Sequence, residues 1–253
     1  MKIKKFKKTK DDIYELLLEN NEKLILYEDI ILKNDLLIKK EIDESIISKL
    51  KKENDYSSVY NLCIKYISFK MRCKNEIKKY LLRKNISNEI IENVVSKLEK
   101  EGYINDKKYA EFYVKDKFKL SSSGPLKIKK ELTSFGIKEE IIDYSINNIE
   151  KINWEEKLQK LISKKLSLTK GSKKEKENKI ISYFYNLGYD CTMIQDIMQD
   201  LDVKSDIHKL KKEYDLLIKK YSRKYNGNEL NYIILNKLMM KGYTKKDIEQ
   251  INN

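Results

Sequence analysis

The sequence predicts a mainly α protein: tandem three-helix repeats in a curved helical solenoid, behind a small N-terminal α+β module. The first reason is a recurring helix end. The runs Ile77 to Asn85-Ile86, Ile128 to Gly136-Ile137, Ile180 to Gly188-Tyr189 and Ile234 to Gly242-Tyr243 follow one pattern, with steps of 51, 52 and 54 residues. Periods of this size belong to stacked helical units, and such arrays usually serve as binding surfaces. The second reason is that the residues after each turn repeat in register. A cap slot holds Ser87, Lys138, Asp190 and Thr244. The columns Ile91/Ile142/Ile194/Ile248 and Leu98/Ile149/Leu201 then recur as one apolar stripe at helical spacing. The third is composition: one proline, Pro125, and seven glycines in 253 residues suit a helical chain.

Residues 1–55 form the exception. Ile3–Phe6, Ile13–Leu18 and Lys23–Tyr27 read as short strands, and Asn20-Asn21 suits a hairpin because Asn tolerates positive φ. Short helices at about 28–34 and 43–54 would cover the strands. Four repeats follow, at 56–104, 105–152, 153–203 and 204–253. Each opens with a longer helix, at about 57–70, 105–120, 153–168 and 206–225, before the recurring pair. Asn85, Gly136, Gly188 and Gly242 stand where a helix must stop, a place that favours residues able to take the left-handed conformation. Three of the four cap residues carry a side-chain oxygen for a free backbone N–H, and Thr244 with Asp247 suggests a capping box. The stretches Ser121–Gly124 and Lys170–Glu177 read as hinges or exposed linkers.

The net charge is +14, and it is unevenly spread. The first 55 residues are balanced, with 13 lysines against 13 acidic residues, so the excess lies in the repeats. Residues 56–104 hold 10 basic and 5 acidic residues, and residues 204–253 hold 12 and 6. Such excess points to a polyanion or an acidic protein surface as partner. The bias of 51 lysines to three arginines (Arg72, Arg83, Arg223) equally fits solvated helix faces. Two clusters stand out: Lys70, Arg72, Lys74, Lys78, Lys79, Arg83 and Lys84 in the first repeat, and Lys209, Lys211, Lys212, Lys219, Lys220, Arg223 and Lys224 in the last. Lys129 and Lys130 join them from the second repeat. Lys212, Lys219 and Arg223 are spaced seven and four apart, on one helix face. Tyr66, Tyr80, Tyr214, Tyr221 and Tyr225 interleave with these charges, either to stack on bases or to pack between helices.

Nothing in the chain suggests catalysis, a metal or a cofactor. His208 is the only histidine and has no cysteine at metal-ligand spacing. Cys63, Cys73 and Cys191 are scattered and unpaired, as in a reducing compartment. The adjacent acids Asp11-Asp12 and Glu28-Asp29 look like solvated turn residues, and Ser122-Ser123-Gly124-Pro125 is a turn rather than a phosphate loop. No apolar run approaches the ~18 residues of a membrane span. The lysine-rich start, Met1 to Lys8, has no apolar export core, so a cytoplasmic protein is expected.

The repeats also resemble a known family. Arg72-Cys73-Lys74-Asn75-Glu76-Ile77, then Tyr80-Leu81, then Gly102-Tyr103-Ile104-Asn105-Asp106 with Tyr109-Ala110 and Phe112 look like the signature of RecX, a family of RecA regulators. Gly124-Pro125 through Ile128, Glu131 and Leu132 to Gly136-Ile137 is similar to the family's second repeat. The close match covers about 57–150, with weaker periodic similarity to the C-terminus. Glu76, Gly102, Tyr103, Asp106, Tyr109 and Ala110, with Gly136, Gly188 and Gly242, are read as scaffold: Gly102 ends a helix, Asn105 or Asp106 caps the next, and Ala110 permits close packing. Cys73 departs from the family's Ser or Thr, and a thiol there would weaken a capping box by up to ~1 kcal/mol. The resemblance implies a monomeric regulator that binds RecA and its nucleoprotein filament. It would modulate, most often inhibit, filament extension, strand exchange, ATP hydrolysis and RecA-stimulated repressor cleavage, in DNA repair and the SOS response. Two rival readings stay open: a sequence-independent nucleic-acid-binding repeat protein, and a plain protein-interaction scaffold.

Overall fold

The computed structural model describes residues 1–9, 12–148 and 153–252, except the side chain of Asn252; Asp11 and Ile149 lie outside these residues. The chain divides into two compact units. One comprises Met1–Tyr109 with Phe135–Ile137, the other Ala110–Ser134 with Lys138–Asn253.

The first unit opens with three antiparallel strands in the order β1-β2-β3: β1 (Ile3–Lys8), β2 (Ile13–Leu18) and β3 (Lys23–Tyr27). Asn21 takes φ 64° in the β2–β3 hairpin, and Asn20 accepts the Glu22 N–H through its side chain. One sheet face buries Leu16, Leu18, Leu24 and Leu26 against Ile30, Ile31 and Leu36 of two short helices, α1 (Glu28–Lys33) and α2 (Leu36–Lys39). The helices expected at about 43–54 and 57–70 are one continuous helix, α3 (Glu44–Ser68), so the boundary expected between residues 55 and 56 falls inside it. Leu50 of α3 belongs to the sheet's core, while Val59 and Cys63 belong to the core of the first repeat. Asn54 accepts the Tyr27 N–H at 2.8 Å and Ser57 donates to Asp29 at 2.6 Å, pinning α3 to the sheet module.

The first repeat is completed by α4 (Lys74–Leu82) and α5 (Asn88–Lys100). Ile77 and Leu81 of α4 meet Ile91, Val94, Val95 and Leu98 of α5, the apolar stripe expected from the periodicity. Asn85 ends α4 in the left-handed conformation at φ 59°, and the Ile86 N–H reaches back to the Leu81 carbonyl. Such a reach-back satisfies a carbonyl that the helix end leaves free. At the start of α4 the capping box closes despite the thiol: the Glu76 carboxylate accepts the Cys73 N–H at 3.1 Å, and the sulfur faces the Glu76 N–H.

The helix α6 (Asp106–Leu120) gives its first turn to the first unit and the rest to the second. The second unit continues with α7 (Pro125–Ser134) and α8 (Glu139–Asn147). The third repeat is α9 (Trp154–Leu168), α10 (Lys173–Asn186) and α11 (Cys191–Asp200). The fourth is α12 (Ile207–Tyr221), α13 (Gly227–Met240) and α14 (Lys245–Asn252). Ile180 and Phe184 pack with Ile194 and Ile197 in one core, and Ile234 and Leu238 with Ile248 in the other. Asp190 caps α11, and Thr244 and Asp247 exchange the two hydrogen bonds of a capping box at 3.1 and 2.8 Å.

A single contact recurs between successive repeats. The Cys73 thiol donates to the carbonyl of Phe135 at 3.5 Å, the Gly124 N–H to that of Leu187 at 2.7 Å, and the Ser172 hydroxyl to that of Lys241 at 2.7 Å. Each donor opens the middle helix of its repeat, and each acceptor directly precedes the glycine that ends the middle helix of the next. Around Gly124 the approach is close enough to add a second backbone bond, Leu126 N–H to the Gly188 carbonyl at 3.0 Å. A Cβ on Gly188, whose φ is +86°, would come within 2.4 Å of the Lys127 nitrogen. The stretches read as exposed linkers are therefore largely structural: Ser123, Gly124, Gly171 and Ser172 are buried, and Lys173–Glu177 is the first turn of α10.

Candidate binding surface

Folding sorts the basic residues of these clusters into two kinds. The first is held by ion pairs with carboxylates. Arg72 binds Glu76 at 3.1 Å and lies 4.1 Å over the ring of Tyr66. Tyr66 stacks on Tyr80 at 4.0 Å and 8°, and Lys84 sits 5.4 Å from the Tyr80 ring on its own helix end. This pillar joins the C-terminal ends of α3 and α4, so Tyr66 and Tyr80 pack between helices rather than standing free for bases. Burial pushes the Glu76 carboxyl up, but the Cys73 N–H and the Arg72 guanidinium outweigh it and hold the group below the usual carboxylate range. Lys74 pairs with Glu99 at 2.7 Å and Lys78 pairs with Glu92. In the second unit Lys129 bridges Glu139 and Asp143 at 2.8 and 2.7 Å, and Lys209 reaches Glu175 at 2.9 Å and Glu213 at 3.7 Å.

The second kind is exposed and makes no ion pair among the described residues: Lys70, Lys79, Arg83 and Lys84 at the ends of α3 and α4, Lys130 on α7, and Lys212, Lys219, Lys220 and Arg223 at the last repeat, with Lys211 and Lys224. Arg223 does not continue the face of Lys212 and Lys219, because α12 ends at Tyr221 and Arg223 sits in the turn beyond it. Sequence reasoning missed the apolar residues beside these charges. Phe69 is 87 % exposed and Leu82 51 % exposed at the two helix ends that the tyrosine pillar joins, and Leu216 is 67 % exposed on α12. Their signal was a break in the stripe: each is apolar but off the buried face of its helix.

The motif residues divide in the same way. Gly102 turns the chain at φ +78° with open space around it, Tyr109 and Ala110 are buried, and Tyr109 meets Phe135 edge-on at 6.1 Å. Asn105 caps α6 through the Lys108 N–H, which frees Asp106 to accept the Lys74 N–H at 2.8 Å. Asp106 thus caps α4, thirty-two residues back along the chain. Tyr103, read as scaffold, and Phe112 of the same signature are more than half exposed. Gly136 and Gly242 take φ +77° and +88° at the junctions.

Burial pushes the thiols of Cys63 and Cys73 up to about 11, the opposite of an activated nucleophile. Among the described residues no group of three or more His, Cys, Asp or Glu side chains could hold a metal ion, and no helix is long and apolar enough to cross a membrane. What the arrangement presents to a partner is charge and exposed apolar side chains.

Fold and surface together define a basic protein of tandem three-helix repeats with a three-stranded N-terminal module. Residues 60–98 match the family description "RecX, first three-helix domain", and residues 105–145 match "RecX, second three-helix domain". A "Regulatory protein RecX" of Streptococcus agalactiae is 33% identical over 98% of this chain and 97% of its own, and one of Streptococcus gordonii is 31% identical over 99% and 98%. This chain belongs to the RecX family of regulatory proteins. Among solved structures, the crystal structure of RecX from Lactobacillus salivarius is 32% identical, with a TM-score of 0.54 over 59% of this chain and 98% of that one. A second, "Crystal structure of regulatory protein RecX", covers 79% of this chain and 99% of its own, with a TM-score of 0.67 at 22% identity. It shares the fold.

Proposed function

We propose that this protein regulates RecA: it binds RecA and its nucleoprotein filament and lowers filament extension, and with it strand exchange and ATP hydrolysis, in recombination and DNA repair. The observation that carries this reading is the whole-chain kinship with RecX regulatory proteins, which spans the sheet module and all four repeats rather than one domain. The unpaired cations support it. Acidic protein surface or phosphate can be met by Lys70, Lys79, Arg83 and Lys84 in the first repeat, by Lys130 in the second, and by Lys212, Lys219, Lys220 and Arg223 in the fourth. A repeat protein that touches more than one protomer alters a filament by occupancy alone, with no cofactor and no reaction. It acts in the cytoplasm as a monomer.

The rival reading is direct, sequence-independent binding of nucleic acid, favoured by the same cations and by the fall in affinity with salt that counterion release imposes. The RecA ATPase on single-stranded DNA, measured with and without the protein at one salt concentration, separates them. A RecA regulator lowers the rate while the DNA is still almost entirely free of it. A competitor for the strand lowers it only as the DNA fills.

A further inference from the structure

Four lysines from four elements converge where the third and fourth repeats meet in the second unit. Lys165 comes from α9, Lys170 from the loop after it, Lys179 from α10 and Lys209 from α12; together they line an open pocket of about 580 Å³. Glu175 binds Lys179 at 2.6 Å and Lys209 at 2.9 Å, close enough to Gly171 that a Cβ there would meet its oxygen at 2.1 Å, and Glu213 lies 3.7 Å from Lys209. Lys165 and Lys170 have no carboxylate partner among the described residues; the Lys165 ammonium rests 4.2 Å over the ring of Tyr183. Like charges gathered in a concavity repel one another unless an anion joins them. Tyr183 and the exposed Leu168 add an apolar wall beside the charges. The volume lies within the range of small-molecule sites, and the pocket is open to solvent.

We propose that this pocket binds a nucleotide: its phosphate chain takes the ammonium groups of Lys165 and Lys170, and its base packs on the wall formed by Tyr183 and Leu168. Glu175 holds Lys179 and Lys209 in place and offsets part of their mutual repulsion. The site is separate from the exposed lysines assigned to the filament contact, so it stands or falls independently of that reading.

Calorimetric titration of the full-length protein with ATP and with tripolyphosphate, at low and moderate salt, tests it. ATP is expected to bind one to one. Lys165→Ala with Lys170→Ala weakens both ligands at least tenfold, while Lys7→Ala with Lys49→Ala, which removes the same charge elsewhere, changes neither. Tyr183→Ala weakens ATP but leaves tripolyphosphate unchanged. A short oligothymidylate at equal phosphate concentration distinguishes a free nucleotide from a strand, and the proposal requires that ATP bind in its presence. Thermal melts confirm that each variant folds. Equal weakening by the Lys7/Lys49 pair would reduce the effect to diffuse charge and overturn the site. Equal response of both ligands to Tyr183→Ala would overturn its nucleotide character.

Discussion

The hydroxyl of Ser172 donates to the carbonyl of Lys241 at 2.7 Å while its oxygen accepts the Glu175 N–H at 3.2 Å. One side chain therefore caps its own helix and holds the helix end of the following repeat, 69 residues away. The Cys73 thiol occupies the same place against Phe135, and the Gly124 N–H does so against Leu187. The period of the sequence is in this sense a period of contacts. The turn that ends a middle helix must present a carbonyl and leave no Cβ, because the preceding repeat's cap sits against it.

Ser172→Ala removes both bonds and leaves the Lys241 carbonyl without this donor. The expected cost is about 1–3 kcal/mol in urea unfolding. Cys73→Ser restores the stronger donor and acceptor at the equivalent place and is expected to be neutral or stabilising, whereas Cys73→Ala destabilises. Equal stability of the Ser and Ala variants would show that the thiol contributes volume alone.

Two glycines in left-handed turns separate conformational strain from close approach. Gly102→Ala meets open space and costs only the left-handed penalty, about 1–2 kcal/mol. Gly188→Ala adds a collision with backbone at Lys127, and the total rises to about 2–5 kcal/mol. A shift in urea midpoint no larger for Gly188→Ala than for Gly102→Ala would mean that the junction yields.

The junctions explain what could be read in the chain and what could not. Helix ends at Asn85, Gly136, Gly188 and Gly242 and the caps Asp190 and Thr244 are local, so residue type and spacing disclosed them. The continuity of α3 was hidden because charge balance and helical pattern change near residue 55 although no breaker interrupts the helix. The fate of the lysines was hidden for a different reason. Lys78 finds Glu92, Lys129 finds Asp143 and Lys209 finds Glu175 only after helices pack, and no spacing along the chain announces such partners. The linkers at Ser121–Gly124 and Lys170–Glu177 look exposed in sequence because small polar residues serve equally in solvent and at a buried cap.

Alkaline pH offers a test of the buried thiols. Folding raises Cys63 and Cys73 to about 11, against about 8.5 for a free thiol. Above the unfolded value the unfolded chain releases protons that the folded one keeps, so this contribution to stability is complete below pH about 8.5 and is lost as pH rises towards 11. Urea midpoints should fall over that window, and the fall should diminish in the Cys63→Ala and Cys73→Ser double variant. Under native conditions iodoacetamide should modify half-buried Cys191 before either of the others, read by peptide mass.

Replacing Lys212, Lys219, Lys220 and Arg223 by Glu changes exposed positions only, at about 0.5 kcal/mol or less each, so the four together should cost no more than about 2 kcal/mol. Binding to RecA–DNA filaments at low salt should weaken by an order of magnitude or more, measured by co-sedimentation. The control is the equivalent reversal of Lys74 and Lys78, which are already paired; it should disturb stability more than binding. Undiminished filament binding by the first variant would remove the fourth repeat from the contact.

Regulation of RecA is tested most directly by dose. Preformed RecA filaments on single-stranded DNA, and the same DNA before RecA is added, are titrated with the protein at one salt concentration while filament growth and ATPase are followed. A filament grows at its end, so a molecule bound there affects every later protomer. The account predicts loss of growth and ATPase at amounts well below one protein per RecA, with most of the DNA unoccupied by it. Loss that appears only when the protein saturates the free strand would contradict the account and leave a nucleic-acid-binding repeat protein in its place.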